Sequence, residues 1–467
     1  TDFTMDEKTW ELAVLTGKAI SAKKYTGADI PAPRLALDLI SRARTSSREE
    51  AFAAEDAALS ELIMTNELRA SIYAFNLIQK MGKKVTGAPS AKLARKVSRI
   101  GVVGAGLMAS QLALLFIRRM KLPVLISDID QERVDKGLNY IHAEIDKLVH
   151  KGRIDNQSAN RLKGLVTGTV DKSQYANCDF IIEAVFEEMS VKQKLFSELE
   201  EFISPECILA TNTSSLSVEN MSKHLKHPER VVGFHFFNPV ALMPLLEVAR
   251  TPHTTDEVTA TAIAVGKELK KTMVITKDAP AFVVNRLLTM FWGEVTDAID
   301  EGTPFEIGDK AVAPLGLPMT PFVLFGLVGP AVALHVSETL HETLGPRFTI
   351  SENMKNYVSA GIKNFYIKTE SGEYVPDPKV LAMMKQGNSP SSAEQVRVRA
   401  LTAIAKEARM MLDEGVVSTP AEIDLCMMLG AGWPLHLGGI LPYLDESGIS
   451  ESATGSRFHP KGMASLP

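Results

Sequence analysis

The stretch Arg99–Met120, RIGVVGAGLMASQLALLFIRRM, decides the fold. A short apolar run over Ile100–Val103 gives way to Gly104-Ala105-Gly106-Leu107-Met108-Ala109, and then to residues with helical spacing. The first two glycines allow a tight turn and let backbone N–H groups approach a pyrophosphate, while the following helix N-terminus faces its negative charge. Ala109 stands where the motif often carries a third glycine, which the motif tolerates. A second apolar run, Val124-Leu125-Ile126-Ser127, ends at Asp128 and Ile129, 22 residues beyond Gly106. A carboxylate there accepts hydrogen bonds from a ribose 2′-hydroxyl and repels a 2′-phosphate, so the pattern points to NAD rather than NADP. Gly104, Gly106, Leu107, Met108, Asp128 and Ile129 are the first cofactor-binding candidates.

Downstream of this unit, strand-like runs start at Asp179 (DFIIEAV), Cys207 (CILATN) and Val231 (VVGFHF), separated by amphipathic segments. Such alternation predicts an α/β domain, a doubly wound parallel sheet covered by helices on both faces, over residues 96–280. Upstream, residues 1–95 read as helices rich in Ala, Leu and Glu, followed by a basic linker. Between Lys80 and Arg99 there are seven Lys or Arg residues and no acid, interrupted by Gly87, Ala88 and Pro89. Residues 281–460 return to long helices and contain an echo. Thr303-Pro304-Phe305-Glu306 recurs as Thr419-Pro420-Ala421-Glu422, and Gly316-Leu317-Pro318 as Gly432-Trp433-Pro434, at one offset of 116 residues. Each Thr-Pro-x-Glu fits a capped helix start, so a duplicated all-α C-terminal domain is predicted.

A length of 467 residues corresponds to about three domains. The formal charge of −5 offers no overall field for a nucleic-acid backbone, so nucleic acid is excluded as the general partner. Three widely separated cysteines, Cys178, Cys207 and Cys426, suit free thiols in a reducing compartment and make neither a metal site nor a redox pair; no metal is expected. The N-terminus lacks the pattern of a signal peptide and the C-terminal ASLP is no peroxisomal address, so a cytoplasmic location is expected. Ala311–Ser337 carries no charge, but Pro314, Pro318, Pro321 and Pro330 interrupt it. The prediction is a buried, kinked segment and no membrane span.

The chemistry concentrates in Phe234-His235-Phe236-Phe237-Asn238-Pro239. A histidine at the end of an apolar strand is often a core residue satisfied by its neighbours. Glu247 changes the balance, because it sits in a second apolar run, LLEV, that a turn containing Pro239 and Pro244 can bring alongside. A buried carboxylate beside an imidazole fixes its tautomer and suits it to act as a general base. Ser214, in the Thr211-Asn212-Thr213-Ser214-Ser215 loop, and Asn285, opening a helical run, are candidate donors to a substrate oxygen.

GAGLMA, TNTSSL, HFFNP and APAFVVNRL, in this order, resemble the (S)-3-hydroxyacyl-CoA dehydrogenase family, and within it the dehydrogenase part of the multifunctional enzymes of fatty-acid oxidation, the alpha subunits of bacterial complexes. The resemblance covers essentially the whole chain. It implies a Rossmann-type NAD-binding domain and NAD-dependent oxidation of (S)-3-hydroxyacyl-CoA to 3-ketoacyl-CoA. His235 would be the base and Glu247 its orienting partner. Ser214, Asn238 and Asn285 would contact substrate, and Glu187, Lys192 and Asn212 would join the cofactor set. Arg48–Ala51 and the helices around it resemble the end of an enoyl-CoA hydratase domain, so a longer parent carrying that activity is expected, with a thiolase beta subunit as partner and an oligomeric state. Two departures stand out: Met108-Ala109 where the family usually has Met-Gly, and Val323-Leu324-Phe325-Gly326 where it has Glu-Leu-x-Asp after Pro-Phe. Two rivals are another beta-hydroxyacid dehydrogenase, using a lysine base, and a non-catalytic docking subunit.

Overall fold

Strands β1 (Ile100–Val103), β2 (Val124–Ser127), β3 (Val166–Thr169), β4 (Phe180–Glu183), β5 (Ile208–Thr211), β6 (Val231–Phe236), β7 (Leu245–Arg250) and β8 (Thr272–Lys277) form one sheet. Its order is β3-β2-β1-β4-β5-β6-β7-β8, and every neighbouring pair is parallel except β6–β7. The structure, a computed structural model, describes residues 6–24, 28, 30–370 and 373–465. Parts of the terminal segments read above for a signal peptide and a peroxisomal address lie outside the described residues.

All residues of β1, β2, β4, β5 and β6 are buried. Helices cover both faces of a parallel sheet, which is why these strands read as unbroken apolar runs. β3 escaped the sequence reading because only its ends are buried and it contains Gly168 and two threonines. A Cβ at Gly168 would lie 2.4 Å from a Val134 methyl, so glycine there admits the helix Gln131–His150 against the sheet edge. From β1 the chain winds outward through β2 and β3, then returns to β4 on the other side of β1. Ligands bind at the carboxyl ends of strands where the winding direction reverses in this way.

The chain divides into two compact units. One comprises Ile78–Arg286 and Met411–Glu422 and contains the sheet; the other comprises Thr1–Leu77, Leu287–Met410 and Ile423–Pro467. Linear order does not reveal that Met411–Glu422 returns to the sheet unit, where the Lys277 N–H donates to the Val416 carbonyl at 2.9 Å, just past the end of β8.

The internal echo has a structural counterpart. Gly316 and Gly432 both adopt left-handed backbone with φ 71°. In the first copy, buried Asp309 accepts from the Phe322 N–H at 2.9 Å, at the start of the helix Pro321–Val328, and from the Tyr366 hydroxyl. In the second, Asp424 accepts from the Leu441 N–H at 2.9 Å, at the start of Ile440–Glu446, from the Tyr73 hydroxyl at 3.0 Å, and pairs with His459 at 2.7 Å. Each copy thus anchors a helix N-terminus on an aspartate and satisfies its orphan N–H. The capping boxes are not duplicated. Glu422 reaches back to the Thr419 N–H at 2.8 Å, but Thr303 instead exchanges hydrogen bonds with the Ser391 backbone, and the helix Phe305–Lys310 starts without a side-chain cap.

In the charge-free segment, the helices Pro321–Val328 and Pro330–Leu344 meet at 101° across Gly329. No single helix among the described residues is long and apolar enough to cross a membrane. The expected kink is present, but burial is one-sided: Phe322 and Phe325 are buried, while Val323, Leu327 and Val328 are exposed. All three cysteines are buried thiols outside any disulfide.

Candidate active site

His235 and Glu247 face each other across the antiparallel β6–β7 pair, in direct register. Side chains at paired positions point to the same face, and here His235 Nδ1 lies 2.7 Å from Glu247 Oε2. A carboxylate only accepts, so the neutral imidazole carries its proton on Nδ1 and its lone pair on Nε2. The other carboxylate oxygen accepts from the Val283 and Val284 N–H groups, both at 3.1 Å, at the start of the helix Val284–Asp300. Two backbone donors and a helix N-terminus thus converge on this oxygen of Glu247 and fix the carboxylate in place. Ala281 (φ 59°) and Phe282 (φ 49°) precede that helix in left-handed backbone. For a buried phenylalanine this conformation costs about 1–3 kcal/mol. It turns the following N–H groups onto Glu247 and packs the Phe282 ring 5.7 Å from the His235 ring.

The loop after β5 is held by acids from β4 and the residues beyond it. Glu187 Oε1 accepts most closely from the Thr213 hydroxyl at 2.6 Å and the Ser214 N–H at 2.7 Å. The Ser214 hydroxyl is at 3.2 Å, a weaker contact that leaves it free to turn to a ligand. Asn285 Nδ2 donates to the Ser214 carbonyl at 3.3 Å, so these two candidates are neighbours. Lys192, only 1% exposed, lies between Glu183 at 2.8 Å and Glu187 at 3.1 Å. Burial works against ionisation of both Lys192 and Glu187. The two carboxylates nonetheless hold the Lys192 ammonium above its ordinary value, and the Lys192 charge with the Thr213 and Ser214 hydrogen bonds holds Glu187 below its own. Lys192 thus braces Glu187. Glu183, the last residue of β4, was not singled out from the sequence because a strand-end acid carries no local signal of a buried partner. The Asn212 side-chain oxygen accepts from the Phe236 N–H at 2.9 Å and ties the end of β5 to the residue after His235.

At the glycine turn, Gly104 has φ 105° and an added Cβ would lie 2.7 Å from the Ala184 carbonyl oxygen, beside the end of β4. Gly106 begins the helix Leu107–Arg119 without a side-chain cap, and a Cβ there would meet nothing within 4 Å. Open backbone donors at a helix N-terminus suit a pyrophosphate. Asp128 accepts from the Ala105 N–H and from the Ile129 N–H, each at 2.8 Å, and so braces the turn. Leu107 and Ile129 are exposed beside this cradle, and Met108 is half-buried. Among the described residues no His, Cys, Asp or Glu cluster could hold a metal.

Asn238 follows β6, with a cis peptide bond to Pro239. Two side chains that the sequence did not single out fasten its turn. Gln111 donates to Asn238 Oδ1 at 3.1 Å and accepts from the Val240 N–H at 2.8 Å. Lys271 donates to the carbonyls of Val240 and Met243, the latter at 2.6 Å. Burial, with the charge of Arg119, pulls the Lys271 ammonium down to about 8.

The 3-hydroxyacyl-CoA dehydrogenase NAD-binding domain model matches residues 99–279, and the C-terminal domain model of that family matches 282–373. FadB2 of M. tuberculosis, a solved structure, is 31% identical with a TM-score of 0.54, and the match covers 57% of this chain and 95% of that one. The chain belongs to the 3-hydroxyacyl-CoA dehydrogenase family. Its cofactor is NAD, and the protein is an NAD-dependent oxidoreductase. The fatty acid oxidation complex subunit alpha of Idiomarina loihiensis is 32% identical over 436 residues, which is 92% of this chain and 61% of that relative. The chain therefore spans about three-fifths of the length of that relative. The 3-hydroxybutyryl-CoA dehydrogenase of Escherichia coli shares the fold, with a TM-score of 0.65 at 23% identity over 79% of this chain and 98% of that one.

Proposed function

We propose that the chain oxidises (S)-3-hydroxyacyl-CoA to 3-ketoacyl-CoA in fatty-acid β-oxidation, with His235 as base and Glu247 as its positioning partner. The observation that carries this reading is the 2.7 Å contact between His235 Nδ1 and a Glu247 already saturated by backbone donors. The His235 Nε2 lone pair takes the proton of the substrate 3-hydroxyl as the C3–H bond breaks. Bound NAD would supply the hydride acceptor for C3, and the electron pair left on the substrate oxygen becomes the carbonyl π bond. Glu247 stabilises the imidazolium that results, as a fixed anion that keeps its own charge. The Ser214 hydroxyl and the Asn285 amide donate to substrate oxygens, and Asn238 contacts the same substrate.

The glycine turn fits NAD: Gly104, Gly106, Leu107 and Met108 would hold the pyrophosphate, and Asp128 with Ile129 the adenosine ribose. Glu187, Lys192 and Asn212 would form the nicotinamide-ribose side, with Lys192 acting through Glu187. Within a longer parent we assign residues 1–95 to the tail of a hydratase domain and a basic linker, 96–280 to the NAD-binding domain and 281–460 to a duplicated helical domain. The Idiomarina relative is a subunit of a fatty acid oxidation complex, which supports a multienzyme assembly; a thiolase beta subunit is the partner we propose, in an oligomer in the cytoplasm, where buried thiols remain reduced.

The test compares NADH oxidation with acetoacetyl-CoA and with free acetoacetate. Turnover only with the CoA ester is expected; preference for the free acid would overturn the substrate assignment. A series of ketoacyl-CoA lengths then gives the chain-length preference.

A further inference from the structure

We propose that Gln111 is a positioning residue that orients the Asn238 amide so that its N–H groups, and not its oxygen, face the acyl-CoA substrate. The proposal rests on the substrate reading above. Its geometry rests on a chain of obligatory hydrogen-bond polarities. The Val240 N–H can only donate, so the end of the Gln111 amide 2.8 Å away is the oxygen. The nitrogen of Gln111 must then face Asn238, and the Asn238 atom that meets it at 3.1 Å must be the acceptor, Oδ1. Asn238 Nδ2 is left pointing away from Gln111 with both of its donors. The substrate atom that meets Asn238 is accordingly an acceptor oxygen, of the type offered by a thioester or amide carbonyl.

Gln111 is well placed for this role. It sits in the second turn of the helix Leu107–Arg119, whose N-terminus is the cofactor cradle, so one helix holds the dinucleotide end and the substrate turn. The turn cannot readily adjust, because Lys271 holds the Val240 and Met243 carbonyls from the other side. Lys271 donates to backbone carbonyls and lies 5.8 Å from the Phe236 ring centroid, whereas Gln111 reaches the Asn238 side chain. The helical position gives no hint of this, since a glutamine there reads as an ordinary polar residue.

The experiment is a double-mutant cycle with Gln111→Met, which keeps length and removes both hydrogen bonds, and Asn238→Ala, each assayed with acetoacetyl-CoA and NADH. Gln111→Met is expected to raise KM for acetoacetyl-CoA about fivefold to tenfold, with kcat and the KM for NADH within about twofold, as for one lost neutral hydrogen bond. In the Asn238→Ala background the same change is expected to have no further effect, because the group it orients is gone. Equal effects in the two backgrounds, or an effect on NADH instead, would overturn the proposal. Gln111→Glu supplies the acceptor for Val240 but no donor for Asn238, so it should turn the Asn238 amide over and raise KM for acetoacetyl-CoA at least as much; a parental KM in this variant would also overturn it. Hydrogen exchange at the Val240 amide separates this from the substrate reading. A parent without acyl-CoA turnover sinks that reading, while unaltered Val240 exchange in Gln111→Met sinks the clamp itself.

Discussion

Glu247 spends one oxygen on His235 and the other on the Val283 and Val284 N–H groups, so the imidazole leans on a carboxylate that cannot rotate away. Glu247→Gln tests this directly. An amide at 247 can present a donor to Nδ1 and so favour the wrong tautomer, with the proton on Nε2. We expect kcat to fall by about 10²–10⁴ with little change in NADH affinity, measured by single-turnover kinetics and fluorescence titration. Parental kcat would show that the pairing is structural only.

Asp128 accepts from the Ala105 and Ile129 N–H groups, and the proposed NAD site gives it the adenosine ribose as well. Asp128→Ala should therefore loosen the turn and remove the ribose contact together, weakening NADH by roughly tenfold to a hundredfold in an equilibrium titration, the range of one or two charge-assisted hydrogen bonds. Tighter NADPH than NADH binding by the parent would contradict the role given to this carboxylate.

Gly104→Ala is expected to damage both fold and cofactor binding. The backbone there has φ 105° and the new Cβ would lie 2.7 Å from the Ala184 carbonyl oxygen, which is main chain and cannot swing aside. A loss of about 1–3 kcal/mol in urea unfolding is expected, with NADH binding impaired. Gly106→Ala meets open space and should leave stability nearly unchanged. Equal losses in the two variants would refute the steric account.

These parts of the site differ in how far they could be read from residues alone. His235 and Glu247 were legible because both lie on apolar runs joined by a proline-marked turn, and a hairpin needs only local geometry to bring them together. The glycine turn and Asp128 were legible for the same reason: the strand–turn–helix unit carries its own spacing. Gln111 and Lys271 were not, since each acts on a distant segment that only the folded sheet brings near, and Glu183 was not, since its pairing with Lys192 carries no motif. The Thr303 cap failed where a tertiary contact won, because the Ser391 backbone takes the hydroxyl that local pattern assigned to a helix start.

Lys192 provides a test of stability and pH together. Removing it leaves buried Glu183 and half-buried Glu187 without their cation, so Lys192→Met should cost about 3–5 kcal/mol by urea denaturation. In the parent, Glu187 is held below its ordinary 4.5, so its contribution is complete above that value and is lost as pH falls through the lower folded value. Lys192 is held above its ordinary 10.5, so its contribution is complete below that value and is lost as pH rises through the higher folded value. Between these limits the contribution of Glu187 and Lys192 is level. An unchanged urea midpoint in Lys192→Met would show that the triad does not stabilise the fold.

The central claim is that an imidazole, held by Glu247, moves the substrate proton. The most direct measurement is acetoacetyl-CoA-dependent NADH oxidation by His235→Gln, read beside NADH binding to the same protein. The account predicts that turnover falls by at least about a hundredfold while NADH binds within about twofold of the parent. Turnover equal to the parent's would contradict it.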